Sequence, residues 1–344
     1  MNVQIEQVKH KVKDPEKLVN ALNKLDELVG QPNIKNAIKR QTSYLLQKMD
    51  KGELSLKMLN TVLMGAPGIG KTNIGIVLAE IWHQMGFLKP QPKLPLSLFK
   101  IDHNTLQIYL FFIIVVGSMG YKIVESLYEK WGLYFIIGVV IGIGLFIYLY
   151  KDFMMETMFN ESIVITSRSD FIGSYLGTTE KKTEDLLYSH LGKVVFIDEA
   201  YSLCSGPQDM YGMECLTALN RFMSEHENEI VIIFAGYEDL LNNTIFKYQP
   251  GLNRRCMWKF KCESYDGDEL FKIFQLQLGK EKYQCAKRDL YKIKEVITEY
   301  KDNFKYMGGD MQKLAFFSQL NHKSDDNDIT IHDVKAGIQE LLKN

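Results

Sequence analysis

The sequence predicts an α/β fold in which a parallel sheet flanked by helices is followed by a small helical domain. Three observations lead to this prediction. Short apolar strands alternate with segments of helical periodicity, which is the pattern of a parallel sheet with helical crossovers. Residues after about 263 are almost entirely helical in pattern. Two long apolar runs interrupt the first half of the chain and predict an inserted pair of helices.

Composition sets broad limits on the class of protein. The chain has 344 residues, enough for about two domains, and its formal net charge of -1 gives no reason to expect nucleic-acid binding. The five cysteines form no C-x-x-C pair and no zinc spacing, which indicates reduced thiols in a cytosol-like compartment. The N-terminus lacks a charged start followed by an apolar core, so we expect no cleavable signal peptide.

The first half of the sheet contains a phosphate-binding motif. Residues 14–49 predict two helices parted by Gly30-Gln31-Pro32, and residues 59–64 predict the first strand. The next eight residues fit G-x-x-x-x-G-K-[ST] and lead into a predicted helix over 72–87; they are Gly65, Ala66, Pro67, Gly68, Ile69, Gly70, Lys71 and Thr72. Glycines let the backbone N–H groups wrap a phosphate, Lys71 adds positive charge, and the Thr72 hydroxyl suits Mg²⁺. We therefore expect a nucleoside triphosphate site, the alternative being a glycine-rich turn with a chance Lys-Thr.

The two apolar runs predict a membrane hairpin. Residues 132–150 are 19 residues without a charge. In a helix they would span roughly 28 Å, against a hydrocarbon core of about 30 Å. Residues 106–123 form a weaker partner with polar residues towards its ends. A hairpin leaves both flanks on one side of the membrane, and an ATP site requires the cytosolic side. The alternative is a pair of helices buried in protein.

The second half of the sheet supplies two carboxylates. A strand over 162–166, a loop over 168–177 and a helix over 178–190 precede a strand over 193–199 that ends in Asp198 and Glu199. A helix over 212–225, a strand over 229–235 and a turn through 250–251 follow. Asp198 is expected to hold Mg²⁺ through water, and Glu199 to take a proton from the attacking water. On its own, such a pair of carboxylates often only exposes the end of a strand to solvent. The phosphate loop upstream favours a role of this pair in ATP hydrolysis.

Several motifs together resemble the AAA+ ATPases of the red-type rubisco activase family. The segments that carry the resemblance are RSDFIGSYLGTTEKKTEDLL at 168–187, VVFIDEAYSL at 194–203, DMYGMECLTALNRFM at 209–223, IIFAGYED at 232–239 and PGLNRR at 250–255. The resemblance covers about 25–90 and 160–320, in the family's order. It implies a parallel sheet with a helical lid, ATP hydrolysis, and a ring of identical subunits, most often six, that acts on a protein.

The resemblance also implies roles for residues outside the ATP motifs. Tyr175, Leu176 and Gly177 match the pore loop, whose aromatic residue grips a threaded polypeptide. The alternative for Tyr175 is a tyrosine buried in the core. Arg255 matches the arginine finger that reaches the γ phosphate of the neighbouring subunit, with Arg254 as the competing candidate.

Three further positions follow from the resemblance. Val29 lies in a segment that such ATPases place beside the adenine. Tyr237 occupies the first sensor position without offering the expected Asn or Thr. Lys313 stands on the lid helix where the family pattern has an arginine, and a point charge does not replace a guanidinium fork.

These observations predict a membrane-anchored AAA+ ATPase that uses ATP and Mg²⁺ in an oligomeric ring to remodel or thread a protein partner. The alternative is a membrane scaffold whose nucleotide governs assembly. A small GTPase fits poorly because no N-K-x-D motif follows the carboxylates. Fold resemblance does not identify the substrate, so rubisco is not inferred as the partner.

The predicted domain organisation follows the chain in order. It comprises an N-terminal helical segment (1–24), the first part of the AAA+ sheet domain (25–100), the membrane hairpin (101–155), the second part of the sheet domain (156–262) and the helical lid (263–344).

Overall fold

The computed structural model describes residues 12–51, 55–88, 162–175, 177–324 and 326–343. The predicted membrane hairpin, with its helices at 106–123 and 132–150, lies outside these described residues, as does Leu176 of the predicted pore loop. Within the described ranges, no helix is both long enough and apolar enough to cross a membrane.

The sheet has five parallel strands in the order β2-β3-β4-β1-β5. They are β1 (Thr61–Met64), β2 (Ile163–Thr166), β3 (Val194–Ile197), β4 (Val231–Gly236) and β5 (Trp258–Lys261). The parallel sheet predicted from the alternation of strands and helices is confirmed, although β5 was not predicted. Because β4 lies between β1 and β3, the loops that follow these three strands meet at one edge of the sheet.

Both faces of the sheet are covered by helices, which explains the nearly continuous apolar strands. Successive residues of β4 point to opposite faces, so that Ile233 joins one core and Phe234 the other, and both are fully buried. The first face is packed against α1 (Pro15–Glu27), α2 (Pro32–Lys51) and α3 (Lys71–Gln84). Gly75 of α3 permits close packing, because a Cβ there would lie 2.5 Å from the Phe196 ring.

The opposite face is packed mainly against α6 (Met210–Glu225), while α5 (Thr179–Tyr188) and short helices complete that side.

Two local predictions were wrong. The expected loop over 168–177 begins with the short helix α4 (Arg168–Phe171). The expected turn at 250–251 is part of α9 (Pro250–Arg255), which follows α7 (Glu238–Asn243) and α8 (Ile245–Tyr248). Proline is favoured in the first turn of a helix, where its missing N–H has no intrahelical partner to lose.

Residues after 263 form a helical unit with its own core. Its helices are α10 (Gly267–Lys280), α11 (Leu290–Glu299), α12 (Gly308–Asn321) and α13 (Ile331–Lys343). Two short strands, β6 (Gln284–Cys285) and β7 (Asp328–Ile329), pair in parallel beside them. A reciprocal capping box of Asp266 and Glu269 begins α10 and satisfies N–H groups that the helix leaves without partners. We call this unit the lid.

Candidate nucleotide site

The phosphate loop connects β1 to α3 and points the start of that helix into the site. Gly68 and Gly70 have φ values of 70° and 87°, a left-handed conformation that side chains disfavour. The Gly65 N–H donates to the Gly236 carbonyl oxygen at 3.1 Å, which ties the loop to the end of β4. The first turn of α3 contributes N–H groups and the positive end of the helix dipole, so the loop suits an anionic phosphate.

Lys71 lies at the centre of this loop. Its Nζ donates to the carbonyl oxygens of Gly65 at 3.0 Å and Ala66 at 2.8 Å. Burial lowers the pKa of Lys71, and the nearby carboxylates of Asp198 and Glu199 act in the opposite direction. The ammonium is therefore held beside the loop carbonyls and faces the two carboxylates predicted to complete the site.

Asp198 and Glu199 follow β3 directly. The Asp198 N–H donates to the Thr166 carbonyl oxygen at 2.9 Å, and its Oδ1 accepts from the Glu199 N–H at 3.0 Å. Glu199 has a φ of 46°, a conformation uncommon outside glycine and often found at functional sites. Burial raises the pKa of Tyr201, and a hydrogen bond with the Glu199 side chain raises it further. Tyr201 therefore keeps its proton beside the Glu199 carboxylate.

A cavity of about 820 Å³ brings these groups together. It is lined by Pro67, Gly68, Ile69, Gly70, Lys71, Thr72, Asp198 and Glu199, and on another side by Leu28, Val29 and Gln31. The segment before α2 thus contributes a partly apolar wall beside the phosphate loop. Val29 lies in that wall, and its predicted contact with adenine stays a prediction.

The residues of the cavity fit a nucleoside triphosphate with Mg²⁺. The Thr72 hydroxyl and the Asp198 carboxylate are oxygen donors of the kind that Mg²⁺ prefers, and both line the same cavity as Lys71. The loop glycines leave room for close backbone approach to phosphate. When bound, the ion would neutralise charge on the phosphate oxygens.

The lid contacts the phosphate loop directly, which sequence reasoning missed. The Gly308 N–H donates to the Gly68 carbonyl oxygen at 3.1 Å, and Tyr265 donates through Oη to the Ile69 carbonyl oxygen at 2.8 Å. Burial raises the pKa of Tyr265 to about 12, so its hydroxyl keeps the donor proton. The Gly308-Gly309 pair is visible in the sequence, but no local pattern indicates that it contacts the phosphate loop.

The two predicted sensors occupy different environments. Tyr237 directly follows β4, the strand that lies between β1 and β3. Its ring centroid lies 5.6 Å from Lys71 Nζ and 5.8 Å from the Tyr201 ring centroid. Lys313 Nζ lies 5.2 Å from the centroid of the Tyr306 ring and lines a neighbouring groove. Its neighbour Gln312 lines the nucleotide cavity as well as that groove. The sensor roles stay predictions, with Gln312 as a residue that was missed.

Tyr175 is 76% exposed on the loop between α4 and α5, so it is not a core tyrosine. Its carbonyl oxygen accepts from the Thr178 hydroxyl at 2.7 Å. Gly177 has a φ of 80°, and its N–H donates to Glu214 Oε1 on α6 at 3.1 Å. The loop therefore presents an aromatic side chain to solvent while its backbone is held to the protein.

The two candidate finger arginines lie at the end of α9 and do not line the nucleotide cavity of their own chain. Arg255 donates through Nη1 to Asn220 Oδ1 at 2.8 Å and through Nη2 to Ser224 Oγ at 2.7 Å. These bonds tie its guanidinium to α6. The side chain of Arg254 is exposed.

A five-stranded parallel sheet with a phosphate loop after β1, carboxylates after β3 and a helical lid over the cavity defines an ATPase domain of the AAA type. The family described as "ATPase family associated with various cellular activities (AAA)" matches residues 150–261. A solved structure of the FIGL-1 AAA domain in complex with ADP aligns with a TM-score of 0.53 and 15% identity, over 91% of this chain and 82% of that one. That likeness supports the fold. The described domain therefore has the AAA-type fold, and the family match supports ATP hydrolysis.

Within this class the chain is related to CfxQ and rubisco activase. It is 24% identical over 337 residues to a putative cfxQ-like protein of Acanthamoeba polyphaga mimivirus, covering 95% of this chain and 65% of that protein. It is 34% identical over 125 residues to the chloroplastic ribulose bisphosphate carboxylase/oxygenase activase of Cyanidioschyzon merolae, covering 36% of this chain and 40% of that protein. The chain therefore spans less than two thirds of the length of either relative.

Proposed function

We propose that this protein is a membrane-anchored AAA+ ATPase that assembles into a ring of six subunits and uses ATP hydrolysis to remodel or thread a protein partner. One observation carries the proposal: the phosphate loop and the carboxylates share one cavity, whereas Arg254 and Arg255 do not line it. If an arginine at this position contacts a nucleotide, that nucleotide must be bound to a neighbouring subunit. Hydrolysis then depends on assembly.

The chain's own groups divide the chemistry. Lys71 and the loop N–H groups bind and orient the phosphates. Thr72 and Asp198 are the residues that would hold Mg²⁺, the latter through water. Glu199 takes a proton from the attacking water, and Tyr201 keeps that carboxylate in place. Arg255 stabilises the charge that develops on the transferred phosphoryl group.

Tyr175 is the proposed contact with a protein partner. An exposed aromatic side chain on a loop with a tethered backbone offers a large apolar surface at a small cost in conformational entropy. The tether through Gly177 keeps the loop in place when the ring meets a partner. We infer that Tyr175 contacts the polypeptide that is remodelled.

Membrane anchoring is supported by the sequence of the inserted segment. Residues 132–150 carry no charge and have the length of a membrane-spanning helix, and residues 106–123 form a weaker partner with polar residues towards its ends. The hairpin would place the ATPase domain on the cytosolic side. Fractionation of the full chain and of a chain lacking residues 100–155 tests this proposal, with ATP turnover as the measure of folding. Equal distribution of both chains in the soluble fraction contradicts anchoring.

The Glu199→Gln variant tests the proposed hydrolysis. It keeps the shape of the side chain but removes the base, so turnover should fall by about a hundredfold or more, while ATP stays bound. Turnover is measured by phosphate release and binding by a fluorescent ATP analogue. Glu225→Gln, an exposed glutamate on α6, is the matched control and should leave both unchanged. Equal turnover in Glu199→Gln and the wild type would refute the assignment.

A membrane scaffold governed by nucleotide is the second candidate, and the position of Lys313 favours it. The Lys313 ammonium lies over Tyr306, and Lys313 does not line the nucleotide cavity, so this lysine itself offers no charged contact to the nucleotide. A photoreactive residue placed at position 175 distinguishes the two functions. A threading enzyme should form crosslinks to polypeptide that depend on ATP, whereas a scaffold should form none at this position.

A further inference from the structure

Arg168 opens α4, the segment that leads into Tyr175, and its guanidinium joins two other parts of the domain. Nη1 donates to the carbonyl oxygens of Ser202 at 2.7 Å and Leu203 at 2.8 Å. The same group forms a two-pronged ion pair with Asp209, with Nη1 at 2.7 Å from Oδ2 and Nη2 at 3.1 Å from Oδ1. One side chain therefore holds the start of the loop, the turn that follows the carboxylates and the start of α6.

The Asp209 carboxylate also accepts hydrogen bonds from the backbone. It accepts from the N–H groups of Ser205 at 2.9 Å and Gly212 at 2.9 Å, and the second of these bonds caps α6. The Arg168 guanidinium lowers the pKa of Asp209 to about 2, against the opposing effect of burial. The carboxylate is only 11% exposed. The Asp209 carboxylate therefore stays charged at physiological pH, and the ion pair with Arg168 persists.

The turn held by Arg168 begins at the proposed base. Residues Ala200–Leu203 form a 3₁₀ turn directly after Glu199, whose φ is 46°. The Ser202 N–H donates to the Glu199 carbonyl oxygen at 2.7 Å. A rearrangement of the Glu199 backbone would therefore shift the carbonyl groups of Ser202 and Leu203, which are the acceptors of Arg168.

The loop on the other side of Arg168 is held near both of its ends. The Ile172 N–H donates to the Arg168 carbonyl oxygen at 3.1 Å, and Lys182 Nζ donates to the carbonyl oxygens of Ser169 at 2.7 Å and Ile172 at 2.8 Å. At the far end, Gly177 is bonded to Glu214 of α6. A displacement of α4 would therefore act on a loop that is held at both ends, with the exposed Tyr175 between them.

We propose that Arg168 is a positioning residue that couples Glu199 at the nucleotide to the loop that carries Tyr175. This inference rests on the proposed function, because it concerns how that loop responds to nucleotide. Arginine suits the role since its planar fork serves the Asp209 carboxylate and two carbonyl oxygens at once. A lysine would keep the charge but has a single nitrogen.

Hydrogen exchange of the full-length protein tests the coupling. Exchange of the peptide spanning residues 168–178 is measured with ADP and with a non-hydrolysable ATP analogue, each at a concentration that saturates the variant. The wild type should show a difference between the two nucleotides in this peptide. In Arg168→Lys the difference should shrink at least about threefold, as expected for groups in one coupled network.

Two further variants separate coupling from general damage. Asp209→Asn keeps a side chain able to cap α6 but loses the ion pair, so it should reduce the difference as Arg168→Lys does. Arg221→Lys is the matched control, because Arg221 also pairs with two carboxylates, Glu180 and Glu184, but has no bond to the turn after Glu199. It should retain the wild-type difference.

The possible results distinguish this inference from the proposed function. A protein that hydrolyses no ATP contradicts the proposed function itself. A protein that hydrolyses ATP while Arg168→Lys and Asp209→Asn retain the full exchange difference overturns only the coupling. An active wild type without any nucleotide-dependent difference at 168–178 also overturns it. A purely structural role would lower the melting temperature of Arg168→Lys but leave the response to nucleotide intact.

Discussion

The Gly308 N–H at the start of α12 donates a hydrogen bond of 3.1 Å to the carbonyl oxygen of Gly68 in the phosphate loop. This bond joins the lid to the loop through backbone atoms alone. The approach is close on both sides, because a Cβ on Gly68 would lie 1.8 Å from the Tyr306 carbonyl oxygen and one on Gly308 would lie 2.8 Å from the Gly68 carbonyl oxygen. The lid position and the shape of the phosphate loop therefore depend on each other.

Gly68→Ala should disrupt this contact. The substitution combines a left-handed backbone with a clash against the lid backbone, so we expect the free energy of unfolding to fall by about 3 kcal/mol. Nucleotide affinity should fall too. Chemical denaturation and nucleotide titration measure the two effects.

Gly86→Ala is the matched control for Gly68→Ala. Gly86 has a φ of 88°, but a Cβ at this position would lie an ordinary 3.6 Å from the nearest atom, the Cβ of Lys13. Backbone strain alone should cost about 1 kcal/mol. Equal losses in the two variants would show that the lid contact at Gly68 adds nothing.

Tyr265→Phe should loosen the second lid contact. The variant keeps the ring but loses the hydroxyl that donates to the Ile69 carbonyl oxygen at 2.8 Å, and we expect a loss of about 1 kcal/mol in stability. Nucleotide affinity should fall a few-fold, since Tyr265 lines the cavity. Tyr291→Phe, on the 76% exposed Tyr291 of α11, is the control. An unchanged affinity in Tyr265→Phe would contradict a role for this bond in shaping the site.

Gln312→Ala should weaken nucleotide binding more than Lys313→Ala. Gln312 lines the nucleotide cavity, whereas the Lys313 ammonium lies over the Tyr306 ring. We expect about a threefold or larger increase in the dissociation constant of ATP for Gln312→Ala, the size of one hydrogen bond. A larger effect in Lys313→Ala would restore Lys313 as the lid sensor.

Arg255→Ala and Lys71→Ala subunits should each be inactive alone and recover part of their activity when mixed. Mixing creates interfaces in which an intact Lys71 faces an intact Arg255 from the neighbouring subunit. ATP turnover against mixing ratio is the measurement. The same mixture made with Arg254→Ala tests the competing arginine. Purified monomer that hydrolyses ATP at the full rate of the oligomer would refute a shared site.

His322 should make the stability of the lid depend on pH. Its Nδ1 lies 2.9 Å from Asp333 Oδ2, and its Nε2 lies 3.0 Å from Asp326 Oδ1. The hydrogen bond with Asp333 raises the pKa of His322, against the opposing effect of burial. A raised pKa means that the stabilisation is fully present below about pH 6.5 and is lost as pH rises through the folded-state value.

The measurement is the difference in free energy of unfolding between the wild type and His322→Gln. We expect about 2 kcal/mol near pH 6, where the histidine is charged, and a smaller difference at alkaline pH. His332→Gln, at an exposed position of α13, is the control and should have a much smaller effect. A difference that grows with pH would contradict the ion pair.

Local patterns predicted residues that the structure brings together in one cavity, but they did not predict strand β5. Lys71 was predicted from the motif G-x-x-x-x-G-K-[ST], and Asp198 from its place at the end of an apolar strand. The carboxyl ends of parallel strands bring both residues to one edge of the sheet. Strand β5 was missed although Trp258, Lys259, Phe260 and Lys261 alternate apolar and charged residues, which is the signal of a half-buried strand. Four residues are too few for that signal to be distinctive.

The sequence by itself determined the phosphate loop, the carboxylate pair and the parallel sheet, because each depends on residue types at short, regular spacings. Only the tertiary structure decided the contacts between distant segments. The ion pair of Arg168 with Asp209 joins residues 41 positions apart, and no local pattern indicates which carboxylate an arginine will meet. The bond from Gly308 to Gly68 uses backbone groups that nearly every residue carries, so only the packing of the lid selects that partner.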